Sequence, residues 1–419
     1  MFVIKYTCIQ VDIERKQKGK ILSDEKRKKM KYNALMMIDN FDLKQLVQPL
    51  QTWFKGNARV LPWRENPKAY YVWISEIMLQ QTRVEAVKPY FDRFIKELPD
   101  VKSLAECPED KLLKLWEGLG YYNRVRNLKI AANQIMDEYN GVIPADYKEL
   151  LKLKGIGNYT AGAICSIAYG KAVPAVDGNV LRVISRVTAD DSDIMKQSVR
   201  THMEEKLSEL MLEMSGQGSV TEEGQASDIE LIPSTFNQAL MELGATVCVP
   251  NGEPHCEVCP WGDICEARKQ NRISEIPVKT KAKARRVEEK TVLIIKDGEK
   301  VALNKRPAKG LLAGLYELPN VDGNMSEDEV IEYIKERGYE PIRIQPVCEA
   351  KHIFSHVEWH MKGYMVFLQA NEFEETFGKD WIFVDVDETK ENYAIPSAFV
   401  KYTEYLNLVI GKDAVVQSV

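Results

Sequence analysis

From about Phe41 to Cys265, apolar residues return every three or four positions, as in LKQLVQPLQTWF (43–54), SEIMLQQTRVEAVKPYFDRFIKEL (75–98) and EDKLLKLWEGL (109–119). That spacing lays one apolar stripe along each helix and predicts an all-helical domain. Within it, the stretch 214–229 (MSGQGSVTEEGQASDI) is polar and rich in Gly, Ser and Glu, as expected of a loop placed before the helix that leads to Cys248. The rhythm changes beyond residue 288. TVLIIKDGEKVALNKR (291–306) alternates about an Asp-Gly turn and predicts a hairpin, and GYMVFLQA (363–370) and WIFVDVDE (381–388) also read as strands. SEDEVIEYIKERG (326–338) carries a Ser cap, helical spacing and a closing Gly, so a helix lies among these strands. The second domain is therefore mixed, and no internal repeat of fixed period is apparent.

A chain of 419 residues, 45% apolar and 28% charged, has room for two packed domains at roughly 100–200 residues each. No apolar run reaches the roughly 18 residues of a membrane span; the nearest, Thr160 to Val176, is broken by Lys171 and Pro174. The N-terminal residues show no signal-like apolar core with a small-residue cleavage site, which gives a cytoplasmic expectation. The formal net charge is −5, so attraction to a polyanion must come from local patches. Two basic runs stand out: residues 268–286 hold eight basic groups against one acidic, and residues 14–31 hold nine against three. Taken alone, such runs are solvated linkers or tails.

Four of the eight cysteines, Cys248, Cys256, Cys259 and Cys265, fall within 18 residues. In a reducing compartment this crowding argues for a metal site rather than disulfides. Zinc sites usually pair two C-x2-C knuckles, whereas the asymmetric C-x7-C-x2-C-x5-C suits an iron-sulfur cluster; both stay open on spacing alone. The segment LLKLKGIGNYTAGAIC (150–165) sets Gly155 and Gly157 between two helical stretches. It is either a helix-hairpin-helix, whose second helix offers backbone amides to phosphate, or an ordinary tight turn.

Two acids are candidates for chemistry. Glu76 has Val72, Trp73, Leu79 and Gln80 as its helical neighbours. Burial on that face would raise its pKa into the range of a general acid; the alternative is a carboxylate at the helix margin, paired with Arg64 or Arg83. Asp177, in PAVDGNVLRVISR (174–186), precedes a helix and is either a plain N-cap or an anion held beside substrate. Together, one neutral acid and one anion could break a glycosidic bond.

These residues, with LPWRENP (61–67), SEIMLQQTRV (75–84), EGLGYYNRVRNL (117–128), GIGNYTAGAI (155–164), AVDGNVLRV (175–183), the four cysteines, KRPAKGLLAGLYELP (305–319) and HIFSH (352–356), resemble the adenine DNA glycosylases of the MutY family. That family belongs to the endonuclease III superfamily of helix-hairpin-helix, iron-sulfur repair enzymes. The resemblance runs from about Leu61 to about Pro396. It implies a multidomain α plus α+β fold, with an all-helical glycosylase domain at 41–267. Within that domain a six-helix barrel spans about 70–175, and an iron-sulfur part takes 41–69 and 176–267. A basic extension at 1–40, a linker at 268–287, a Nudix-like domain at 288–410 and a tail at 411–419 complete the expected order.

By the same resemblance, Glu76 protonates adenine at N7 and Asp177 stabilises or transiently traps the sugar cation, with Tyr159 and Asn179 supporting them and Arg64 lining the pocket. Gln81 and Tyr121 enter the base stack beside Gln80, Thr82 and Leu119, Gly155 and Gly157 meet the backbone, and Phe354, Ser355 and His356 read 8-oxoguanine. Extrusion is required because a duplex hides the glycosidic bond. Tyr159 stands where bifunctional relatives place lysine, which implies a monofunctional hydrolase that leaves an abasic site. The implied cofactor is one structural 4Fe-4S cluster, and the implied partner is double-stranded DNA carrying adenine opposite 8-oxoguanine or guanine, bound by a monomer. VIEYIKERG (330–338) lacks the glutamate set of a Nudix hydrolase, implying recognition without hydrolysis. The basic linker would then face phosphates. Two departures mark this chain: a seven-residue first cysteine gap where six is usual, and Lys154 where proline is common. The alternatives are thymine opposite guanine as substrate, or a non-catalytic iron-sulfur DNA-binding protein.

Overall fold

The computed structural model describes residues 37–215, 230–280, 284–369, 381–408 and 410. The basic run 14–31, nearly all of the polar stretch 214–229, part of the linker and the tail 411–419 lie outside the described residues.

Two apolar cores organise the helical region. One gathers Leu61 to Cys165 around Trp73, Phe94 and Trp116. The second joins Ile38–Leu50 to Val176–Ile276 around Leu181, Phe236 and Trp261. The helix Ala69–Leu79 is apolar nearly all round and buries eight residues, as a helix enclosed by neighbours must. It stops where Gln80 leaves helical geometry and Gln81 turns left-handed at φ 59°. The hairpin turns at Gly155, whose φ of +79° excludes a side chain at low cost. It delivers the helix Asn158–Ala163. Gly162 lets that helix press against the chain leading to Asp177: a Cβ there would lie 2.1 Å from the Pro174 carbonyl oxygen.

The second domain is a seven-stranded sheet, β1 (Arg286–Asp297), β2 (Lys300–Lys305), β3 (Tyr316–Glu317), β4 (Asn320–Asp322), β5 (Pro341–Ile353), β6 (Val357–Leu368) and β7 (Ile382–Asp385), in the order β3-β2-β1-β6-β5 with β4 on β1 and β7 on β2. The long β1–β6 pairing is parallel. β1 is buried on both faces: Val292 and Ile294 meet Phe399 and Tyr402, while Leu293 and Ile295 meet Val330 and Ile334 of the helix Glu327–Glu336. This accounts for the unbroken TVLII run. The hairpin and the Ser326-capped helix form as expected. The strand expected over 381–388 is shorter: only Ile382–Asp385 pairs, and Val386–Asn392 is helical.

The two domains share buried surface. Leu315 and Ala394 complete the first helical core. The Lys114–Glu117 ion pair (2.8 Å) sits in the seam, with Glu117 accepting from the Ile395 amide (2.7 Å) and Lys114 donating to the Thr389 and Tyr393 carbonyls. Several cations of the described linker also make contacts within the protein. Arg272 pairs with Asp191 and Glu275, Lys269 pairs with Glu266, and Arg285 donates to the Phe354 carbonyl.

Candidate active site

Glu76 sits in the middle of the Ala69–Leu79 helix and is 5% exposed. The margin alternative fails: Arg64 donates instead to Glu242 (2.8 Å), which also binds Arg59. Burial alone would raise Glu242, but the two guanidiniums outweigh it and hold the carboxyl below its usual range. Glu76 has a different partner, Tyr159, whose hydroxyl donates to Oε2 at 2.5 Å. Burial pushes the Glu76 carboxyl from 4.5 up to about 7, against the Tyr159 hydrogen bond; the Asp177 charge raises it further and Arg64 lowers it. Tyr159 is itself held well above its ordinary value by burial and by both acids, so it stays a neutral donor.

Asp177 caps the helix Gly178–Thr188, its Oδ1 accepting from the Asn179 and Val180 amides at 2.8 Å each. Oδ2 accepts from the Asn179 side-chain amide at 2.7 Å, and Asn179 is braced in turn by Arg182 at 3.0 Å. Burial pushes the Asp177 carboxyl above its usual value and outweighs the pull of these donors and of the Arg182 charge. Every described partner is a donor, an arrangement that favours the anion because the O–H of a protonated carboxyl would find no acceptor among them. The residue is an N-cap, and its charge is felt by Glu76, far from it in sequence.

The other expected residues fall on loops of both domains. Gln80, Gln81 and Thr82 form the turn after the Glu76 helix, with Thr82 bonded back to Leu79 and Gln80. Leu119 is buried, whereas Tyr121 is 48% exposed at φ 49°. Gly157 caps the hairpin's second helix, and the Lys154 amide is tied to Gln134. Phe354, Ser355 and His356 form the β5–β6 turn. Phe354 packs edge-on against Trp359 and His352, while Ser355 and His356 are exposed. No hydrogen bond among the described residues joins this turn to Glu76 or Asp177. Sequence reasoning missed Arg182, the Arg59–Glu242–Arg64 cluster, Arg124, and Met241 against the Tyr159 hydroxyl.

Cys248, Cys256, Cys259 and Cys265 line one apolar cavity with Arg186 and Arg268, and the long first gap does not separate them. Burial pushes the Cys259 thiol up to about 12, so thiolates there need a cation to be stable. The donor set fits a thiolate-bound metal group. Among the described residues, no three His, Cys, Asp or Glu side chains gather closely enough for a single ion. His255 is outside the cavity lining and faces Glu257.

Residues 74–209 match the family described as HhH-GPD superfamily base excision DNA repair protein, and residues 291–405 match the NUDIX domain. An adenine DNA glycosylase of Arabidopsis thaliana is 34% identical over 74% of this chain, which spans only 55% of that relative's length. An adenine DNA glycosylase of Buchnera aphidicola is 32% identical over 80% of this chain and 90% of its own. The chain belongs to the adenine DNA glycosylase family. A thermostable thymine-DNA glycosylase of known structure superposes on 54% of this family member and 96% of its own chain, with 26% identity and a TM-score of 0.44. No helix among the described residues of this glycosylase is long and apolar enough to cross a membrane.

Proposed function

We propose that this chain removes adenine mispaired with 8-oxoguanine or guanine in duplex DNA, using Glu76 as general acid and Asp177 as the anion beside the sugar. The observation that carries the reading is the unequal pair of acids: one buried carboxyl raised to about 7 and a second held by three N–H donors. Because Tyr159 donates to Oε2, the proton of neutral Glu76 sits on Oε1, the oxygen left for the departing base. That proton passes to adenine as the bond from sugar to nitrogen breaks, so the base leaves without a full negative charge. The cation on the sugar is stabilised by Asp177, whose negative charge is fixed in place before the reaction. Water then attacks and gives its proton back to Glu76, leaving an abasic site. With Tyr159 where a lysine nucleophile would stand, no Schiff base forms there.

Gln81 and Tyr121 fill the duplex as adenine turns outward, supported by their exposed, left-handed placement. Ser355 and His356 are offered to the opposite base from the second domain, with Phe354 as the packed foot of the turn. The four cysteines, which line a shared cavity, would hold one 4Fe-4S cluster, a reading favoured over zinc by their asymmetric spacing. When bound, that group supplies structure, fixing the loop 248–265. Incubating the full chain with a duplex bearing adenine opposite 8-oxoguanine, then alkali, should cut the adenine strand. A preparation with full cluster content that leaves this strand intact would sink the reading. Release of thymine opposite guanine in its place would move the specificity.

A further inference from the structure

Gln81 (φ 59°) and Tyr121 (φ 49°) are both left-handed without being glycine. Each such residue costs about 1 kcal/mol or more and persists only where its surroundings impose it. The two loops that carry them are joined by one side chain. Arg124, from the helix Asn123–Tyr139, donates through Nη1 to the carbonyls of Ile77 (2.8 Å), Met78 (3.1 Å) and Gln80 (2.7 Å), and through Nη2 to those of Leu119 (2.9 Å) and Gly120 (3.0 Å). It makes no ion pair with a carboxylate among the described residues, and its Cζ lies 5.3 Å from the Trp116 ring centre and 5.6 Å from that of Tyr121.

We propose that Arg124 is a positioning residue for base extrusion: its guanidinium clasps the 80–82 and 119–121 loops into a single two-pronged wedge, and fixes that wedge to the C-terminal end of the helix bearing Glu76. Three features carry this. The Ile77 and Met78 carbonyls belong to the last helical turn, where the dipole favours a cation and carbonyls lack helical partners. The fork spans both loops at once, which a single ammonium nitrogen does with fewer bonds and no plane. The Tyr121 ring faces the same guanidinium that holds the two preceding carbonyls, so ring and turn are set together. The wedge and the acid therefore move as one body, and extrusion delivers adenine to a fixed Glu76. This rests on the extrusion reading above.

The test uses the full chain and the Arg124→Lys variant, which keeps the charge. With duplex carrying adenine opposite 8-oxoguanine, single-turnover release at saturating protein, corrected for active fraction, should fall about tenfold to a hundredfold, as expected for loss of charge-assisted bonds. Fluorescence of 2-aminopurine placed at the target should show reduced extrusion. Binding to a duplex with a tetrahydrofuran abasic analogue, which has no base to unpair or unstack, should change less than about threefold. In a Tyr121→Ala background, Arg124→Lys should add little further loss, because both act through one wedge. An undiminished rate and 2-aminopurine signal, or full additivity with Tyr121→Ala, overturns the clasp. If Arg124→Lys does not fold, hydrogen exchange of the wild-type chain decides: the amides of 80–82 and 119–122 should open in one step, and independent opening contradicts the proposal. A wild-type chain that releases no adenine defeats the functional reading while leaving this exchange measurement to judge the clasp.

Discussion

Replacing Glu76 by glutamine isolates the cost of keeping an acid inside the helical core. The side chain is 5% exposed and its carboxyl is raised from 4.5 to about 7, chiefly by burial. At about 1.4 kcal/mol per pH unit, charging it inside the fold is disfavoured by about 3 kcal/mol. Between those two values the folded chain holds a proton that the unfolded chain has released, so stability falls as pH rises through the window, and the loss is complete above about 7. Glutamine has nearly the same shape, still accepts from Tyr159, and has no charge to lose. Urea unfolding of parent and Glu76→Gln should therefore show the variant gaining about 2 to 3 kcal/mol on the parent between pH 5 and pH 8. Adenine release should be lost while duplex binding survives. A stability difference that does not change with pH would mean that Glu76 titrates normally, and the assignment of a neutral acid would fall with it.

Tyr159→Phe removes the one hydrogen bond that favours the Glu76 anion, so the alkaline limb of the pH–rate profile should move upward; no movement would remove Tyr159 from this role. Cys259→Ser breaks the thiol set that lines the 248–265 cavity, and should lose the visible absorbance of an iron-sulfur centre along with thermal stability; a colourless, zinc-loaded wild type would contradict the cluster. Lys114→Met strands Glu117 in the seam between domains and should cost about 3–5 kcal/mol, read as easier proteolysis between the domains. Adding Glu117→Gln should restore part of that loss.

Much of the helical region was legible because helical burial repeats locally. The Glu76 helix, the Gly155 turn and the Ser326 cap follow from spacing and from residue type. What surrounds Glu76 was not legible, because Tyr159 arrives from 83 residues away and Glu242, which takes Arg64 from it, from 178 residues past that arginine. Asp177 takes the N-cap reading in the structure, and the amides that cap its helix are the donors that the proposed anion would need. Strand β5 escaped notice because PIRIQPVCEAKHI lacks clean alternation and includes Pro341 and Pro346, which an edge strand tolerates. Val386–Glu388 reads as strand continuing from β7, yet Asp387 and Glu388 in the first turn of Val386–Asn392 favour a helix start. Arg124 lies within the EGLGYYNRVRNL motif, but no spacing there shows what it holds; the five carbonyls it binds are brought together only in the folded chain.

The most direct test of the paired acids is the pH dependence of single-turnover adenine release at saturating protein. Release should be steady below about pH 7 and then fall with increasing pH as Glu76 loses its proton. A rate that stays flat or rises between pH 7 and pH 9 would mean that no neutral carboxyl gives its proton to the leaving base.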